Sequence, residues 1–296
     1  MSASTPAQAS ASPPRQRVFS VGLRVLRLVD RSRTIHGGEP RTLSTYVRYP
    51  AQGAADGRDH LNATPAPQGP FPLIVFGHGF AVTPTIYAPL MRYWTRAGFV
   101  VAAPVFPLGN ANAPGGPYEP DLVHQPADMS YVISSLLTGG GSLAGLVDPA
   151  RIAVAGQSDG GDTALAVAYD RRYRDPRVRA AVILSGAEIP YTGSFDFPTV
   201  GPPLLATQGT DDTINPPELT ETFFAAAHRP KFLLWLTRAE HLPPYTDEQP
   251  DLAIVERVST AFLEHYLDPP TRPRVSLRRM YAVARVPGRT TLRAYP

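Results

Sequence analysis

The chain has 296 residues, an apolar fraction of 43% and a formal net charge of +3. That length suits one α/β domain with a sizeable core, and no run of about 18 apolar residues suggests a membrane span. Cysteine is absent, which excludes disulfides, thiol catalysis and thiolate metal sites.

Residues 1–17 are small, polar and proline-containing, the composition of a disordered lead-in. They lack the basic start and the apolar stretch of roughly 7–15 residues of a secretory signal, which points to the cytoplasm. Alternating apolar residues over Val18–Val29 predict a strand, followed by a loop over Asp30–Arg41 and a second strand over Thr42–Arg48. A long Pro/Gly/Ala-rich connection, Ala51–Pro70, precedes the continuous apolar run Leu73-Ile74-Val75-Phe76, the pattern of a strand buried on both faces. Beyond it helices are expected over Ile86–Ala97, Gln125–Leu137, Gly161–Arg171, Pro217–Ala227 and Leu252–Tyr266. They alternate with strands over Phe99–Phe106, Arg151–Gln157, Val178–Leu184, Leu204–Gln208 and Lys231–Thr237. Such alternation argues for a mostly parallel central sheet with helices on both faces. The first two strands have no helix between them and are expected to form an antiparallel N-terminal edge. Residues 18–296 read as a single domain. Its last part, 269–296, carries seven arginines and no acid, so the rest of the chain is net acidic. This basic C-terminal extension is expected to be a solvated segment balancing an acidic body. No zinc-finger spacing, RNP motif or aromatic-plus-basic stripe points to nucleic acid.

Gly156-Gln157-Ser158-Asp159-Gly160 is a G-x-S-x-G placed where a strand ends and a helix begins, the context in which a serine stands clear of the sheet as a nucleophile. Alone the pentapeptide is weak in a chain with 24 glycines. A serine needs a base, and the base an orienting acid, arriving after it in the order acid, then histidine. Three histidines follow Ser158. His228 ends a helix, His265 lies inside one, and His241 sits in a loop directly after a predicted strand, at the sheet edge where active sites of parallel sheets gather. His241 is therefore the candidate base. The acid comes from Asp211 or Asp212, in the loop after Leu204–Gln208. An oxyanion hole requires two backbone N–H groups. The Asp159 amide and the Phe80 amide of Gly77-His78-Gly79-Phe80 are placed to supply them, with His78 bracing that loop. The Asp159 side chain is expected to face solvent or a neighbouring donor, as an acid at a helix start.

These features together resemble the α/β-hydrolase superfamily over residues 18–296. The likeness extends to the group of cutinase-like polyester hydrolases, dienelactone-hydrolase-like esterases, chlorophyllases and platelet-activating-factor acetylhydrolases. It is carried by Asp30 to Arg33, Arg41-Thr42-Leu43, Tyr49-Pro50, Pro72–Gly79, Gly98-Phe99-Val100-Val101 and Asp148-Pro149-Ala150-Arg151-Ile152. Gly209-x-x-Asp212-x-x-x-Pro216 and Val286-Pro287-Gly288 complete it. The resemblance implies the α/β-hydrolase fold and a triad of Ser158, Asp212 and His241, with Asp212 preferred because the acid falls three residues after the glycine. It implies neither a metal nor an organic cofactor. Asp159 stands where many polyester hydrolases carry Met. Only about fifteen residues, Ala187–Gly201, separate two strands where many hydrolases insert a helical lid, so no large lid is expected. Tyr191, Phe195 and Phe197 in that segment, with Tyr87, either line a substrate pocket or, for the loop rings, anchor a proline-rich loop. The expected activity is hydrolysis of short- to medium-chain esters, the partner being a small-molecule or lipid-like ester. Peptidase, thioesterase or acyltransferase chemistry on the same residues, and a non-catalytic binding role, are the alternatives.

Overall fold

Leu73, Ile74, Val75 and Phe76 are all inaccessible to solvent, because their strand lies inside a sheet covered on both faces. The computed structural model describes residues 18–35, 37–139, 143–189, 195–267 and 273–296; the expected lead-in, 1–17, lies outside them. In chain order the elements are β1 (Ser20–Thr34), β2 (Pro40–Ala51), β3 (Asp59–Leu61), β4 (Phe71–Gly77), α1 (Ala88–Arg96), β5 (Val100–Pro104), α2 (Gln125–Thr138), β6 (Val147–Gln157) and α3 (Asp159–Tyr169). There follow β7 (Val178–Leu184), β8 (Leu204–Gly209), α4 (Pro217–Ala226), β9 (Lys231–Leu236), α5 (Pro243–Thr246), α6 (Asp251–Leu267), α7 (Pro273–Val283) and β10 (Thr290–Tyr295). Short 3₁₀ turns occupy Pro84–Tyr87 and Glu119–His124.

Ten strands form one sheet in the order β10-β9-β8-β7-β6-β4-β5-β2-β1-β3. The six from β9 to β5 run parallel, and β2 and β1 continue antiparallel. This is the mixed, mostly parallel sheet of an α/β-hydrolase fold. Alternation along β4 divides the core. Leu73 and Val75 pack with Val132 of α2, Leu165 of α3 and Phe223 of α4, whereas Ile74 and Phe76 pack with Trp94 of α1, Val258 and Phe262 of α6 and Met280 of α7. No helix among the described residues is long and apolar enough to cross a membrane.

Three expectations change. The β1–β2 hairpin runs past Val29 into residues expected to be loop, with a bulge between Asp30 and Thr34. Asp30 makes the bulge locally: one carboxylate oxygen accepts the Ser32 N–H at 2.9 Å and the other takes Arg33 Nε at 2.7 Å. Within Ala51–Pro70, β3 adds parallel to β1. The third change is the largest. The basic segment is not a solvated extension, because Met280 and Ala284 are buried in the core and β10 pairs antiparallel with β9. Its arginines meet acids of the body: Arg279 pairs with Glu264, Arg289 with Asp251 and Arg293 with Glu221.

Candidate active site

Parallel strands deliver their C-terminal ends to one edge of the sheet, and β4, β6, β8 and β9 each end there in a loop carrying a candidate residue. At the end of β6, Ser158 has φ 55° and ψ −129°. Such a backbone costs about 1–3 kcal/mol in a residue with a side chain and persists because its surroundings fix it. The Ser158 N–H donates to Leu184 O at 3.0 Å, and Ser158 O accepts from Asp162 N–H at 2.9 Å in the first turn of α3. The turn is tight enough to require both motif glycines. A Cβ on Gly156 would lie 2.0 Å from Gly160 O, and one on Gly160 would lie 2.1 Å from Gly77 O.

The loop after β4 is held from below. Buried His78 accepts the Phe106 N–H at Nε2 (3.0 Å), which leaves the proton on Nδ1 to be donated to Gly79 O (2.8 Å). Burial lowers its pKa to about 4, so the ring is a neutral brace. On either side of Phe80 the amides are engaged: Gly79 N–H donates to Tyr87 Oη at 3.3 Å and Ala81 N–H to Gly109 O at 2.8 Å.

Of the two acids after β8, Asp211 is exposed and accepts from Thr210 Oγ1. Asp212 is 3% exposed and makes four hydrogen bonds. Its Oδ1 accepts the N–H groups of Ile214 and Asn215 at 3.0 and 2.9 Å. Its Oδ2 accepts Gln208 Nε2 at 3.1 Å and His241 Nδ1 at 2.8 Å. Burial works to raise the Asp212 pKa, but the bonds from His241 and Asn215 and the charge of His241 outweigh it, and the pKa is lowered. An ionised carboxylate can only accept, so His241 donates from a protonated Nδ1 in this bond. Ser158 and His241 are each 9% exposed.

Three residues that the motifs did not single out join these loops. Gln157, beside Ser158, accepts Tyr87 Oη at 2.7 Å and donates to His241 O at 3.0 Å. Tyr87 is fully buried with its hydroxyl shared between Gly79 and Gln157, so it supports the loops from the core and does not form a pocket wall. Gln208 steadies Asp212 and is itself fixed by Thr220 Oγ1 at 2.7 Å. Only the position of Gln157 and Gln208 at strand ends hinted at these roles.

Asp159 departs from expectation. Its side chain is not turned to solvent: it is 8% exposed, and its Oδ2 has no hydrogen-bond partner. Burial and then the charge of Glu119 raise its pKa to about 6, against the opposing charge of His241. Glu119 lies in a turn anchored by buried Arg41, which bonds Asp121 at 2.6 Å and Asp128 at 2.7 Å. Phe195 and Phe197 meet at a tilt with ring centres 5.0 Å apart, and Phe197 lies 5.3 Å from Tyr169. Tyr169 ends α3, about 16 Å along the helix from Ser158, and Phe195 also packs against the cluster of Leu122, Ala166 and Ile189. Tyr191 lies outside the described residues. Among the described residues no group of three or more His, Asp or Glu side chains could hold a metal ion.

The chlorophyllase family model matches residues 35–187, just over half of the chain. The match contains the Gly77–Phe80 loop and Ser158 and ends before Asp212 and His241. Among solved structures, a ferulic acid esterase from Streptomyces cinnamoneus is similar at 23% identity and a TM-score of 0.66, over 89% of this chain and 97% of that one. At that identity the likeness concerns the fold. No curated protein sequence matches the chain. A family match spanning the β4 loop and the serine turn, on a sheet of this topology, places the chain in the chlorophyllase family, whose members are esterases of the α/β-hydrolase fold.

Proposed function

We propose that the chain is a serine ester hydrolase working through an acyl-enzyme on short- to medium-chain esters. The observation that carries this reading is the buried Asp212–His241 bond of 2.8 Å at the same sheet edge as a serine held in a strained turn. His241 Nε2 takes the Ser158 proton as Oγ attacks the ester carbonyl carbon. The amides of Phe80 and Asp159 hold the developing oxyanion. The intermediate collapses by breaking the bond to the alcohol oxygen, which receives the proton from His241. Water then attacks the acyl-enzyme with His241 again as base, and the carboxylic acid leaves. Asp212 holds the imidazole in the tautomer these steps need. Every step uses only residues of the chain and water.

A fluorophosphonate probe is expected to label the protein once, and Ser158→Ala to abolish both labelling and hydrolysis. A series of p-nitrophenyl esters from acetate to palmitate should show the fastest turnover at the short and medium lengths. An unlabelled wild-type protein, or labelling that survives in Ser158→Ala, would sink the proposal.

A further inference from the structure

Lys231 starts β9, so it lies at the rim of the sheet opposite the strand ends that carry Ser158 and His241. A cavity of about 740 Å³ opens there between the end of α4, β9 and β10. Its wall brings together Arg229, Lys231 and Arg293 with one carboxylate, Glu221. Two rings hold the cations in place. Lys231 Nζ lies 5.0 Å from the centre of Phe224 and 5.7 Å from that of Tyr295. The Arg293 guanidinium is 4.7 Å from Phe224, and that of Arg229 is 5.3 Å from Tyr295. Ring faces attract cations but carry no net charge, so the cluster keeps a surplus of positive charge. Arg293 reaches Glu221 through one terminal nitrogen only, and its Nε has no partner. The crowding registers at Lys231, whose pKa is lowered by burial and by the charges of Arg293 and Arg229. Lys231 stays placed because Nζ donates to Phe224 O and Ala225 O, at 2.7 and 3.0 Å.

We propose that this cavity binds a phosphate-type oxyanion, free or as the head of a phospholipid. The Arg229 guanidinium presents a forked donor that matches phosphate oxygens, Arg293 keeps its second terminal nitrogen free of Glu221, and a bound anion relieves the repulsion among the three cations. The cavity is larger than inorganic phosphate alone needs, which leaves room for an organic group on the phosphate. The inference stands apart from the ester-hydrolase reading, since no residue of the cavity belongs to the candidate active site.

Calorimetric titration of the full chain with inorganic phosphate, at an ionic strength fixed with sodium chloride, should show saturable one-to-one binding. Arg293→Gln and Arg229→Gln should each weaken it by about tenfold or more. Arg171→Gln, an exposed arginine outside the cavity, should leave it unchanged. Arg229 touches only the Tyr295 ring among these contacts, so its variant tests the site even if losing the Arg293–Glu221 pair disturbs the fold. Fluorophosphonate labelling serves as an independent check on the active site of each variant. Flotation with phosphatidylcholine vesicles, with and without phosphatidylglycerol, identifies the source of the phosphate. Recruitment by phosphatidylglycerol that phosphate competes away marks a headgroup, and phosphate binding without recruitment marks a soluble ligand. Absence of saturable phosphate binding, or equal affinity in both variants and wild type, overturns the proposal.

Discussion

Asp212 and Asp159 are the same residue type, both more than nine-tenths buried, at the same edge of one sheet, and their pKa values move in opposite directions. Burial raises both. At Asp212 four donors converge on the two oxygens and reverse the effect. At Asp159 one oxygen has no donor and Glu119 adds a second negative charge. The depth of a carboxylate therefore says little about its charge; the count of donors decides it. In the proposed reaction, the first acid stays ionised to orient His241, and the second lends its backbone N–H while its side chain resists ionisation.

The largest expected effect comes from removing the charge at the well-served position. Asp212→Asn keeps the shape but presents an amide to Nδ1, which favours the wrong imidazole tautomer. We expect kcat for ester hydrolysis to fall roughly 10⁴-fold while the circular dichroism spectrum stays that of the wild type. A loss below about tenfold would mean that Asp212 does not orient the base. Next comes the seat of Asp159. Gly160→Ala places a methyl group against the Gly77 carbonyl, so α3 must shift. We expect a stability loss of about 3 kcal/mol or more, read from urea unfolding. A near-neutral result would show that the two loops can move apart.

Asp159→Asn tests the comparison directly. An acid whose pKa is raised on folding binds its proton more tightly in the native state. Its unfavourable contribution therefore grows as pH rises from its ordinary value near 3.8 to about 6, and is constant above. The asparagine variant should be the more stable protein at pH 8, by on the order of 2 kcal/mol. The two should be nearly equal at pH 4. Urea midpoints at the two pH values measure this, and a difference that does not change with pH would contradict the raised pKa. Asp212 carries the opposite sign: its lowered pKa stabilises the fold above about 3.8 and is lost as pH falls through the lowered value.

The contrast also explains what the sequence made legible. Ser158, the Asp211-Asp212 pair and His241 stood out because chemistry requires those residue types at strand ends, where apolar runs stop. What each carboxylate experiences was not legible, since the Asp212 donors come from Gln208, two loop amides and a histidine 29 residues on. Gln157, Gln208 and Tyr87 carry no charge pattern, and only their tertiary partners reveal them. Likewise the alternation of β1 announced the antiparallel β1–β2 side of the sheet. The other edge, β10, has the sequence TTLRAY and is half-exposed along most of its length, so neither face gives a period. The arginines of 269–296 suggested solvent because their acidic partners lie on other elements, Glu221 on α4 and Asp251 and Glu264 on α6.

Tyr87→Phe gives the smallest effect and separates support from packing. The ring sits 5.0 Å from Phe76 in the core and phenylalanine keeps that contact. What disappears is the hydroxyl shared by the Gly79 N–H and Gln157 Oε1, leaving two buried polar groups without that partner. The expected stability loss is about 1–2 kcal/mol. If Phe80 supplies an oxyanion donor, loosening Gly79 next to it should lower kcat roughly three- to tenfold with little change in KM, because an oxyanion contact forms only in the transition state. A stability loss with kcat unchanged would confine Tyr87 to packing. It would also show that the Phe80 loop is held by His78 and Ala81 alone, through their bonds to Phe106 and Gly109.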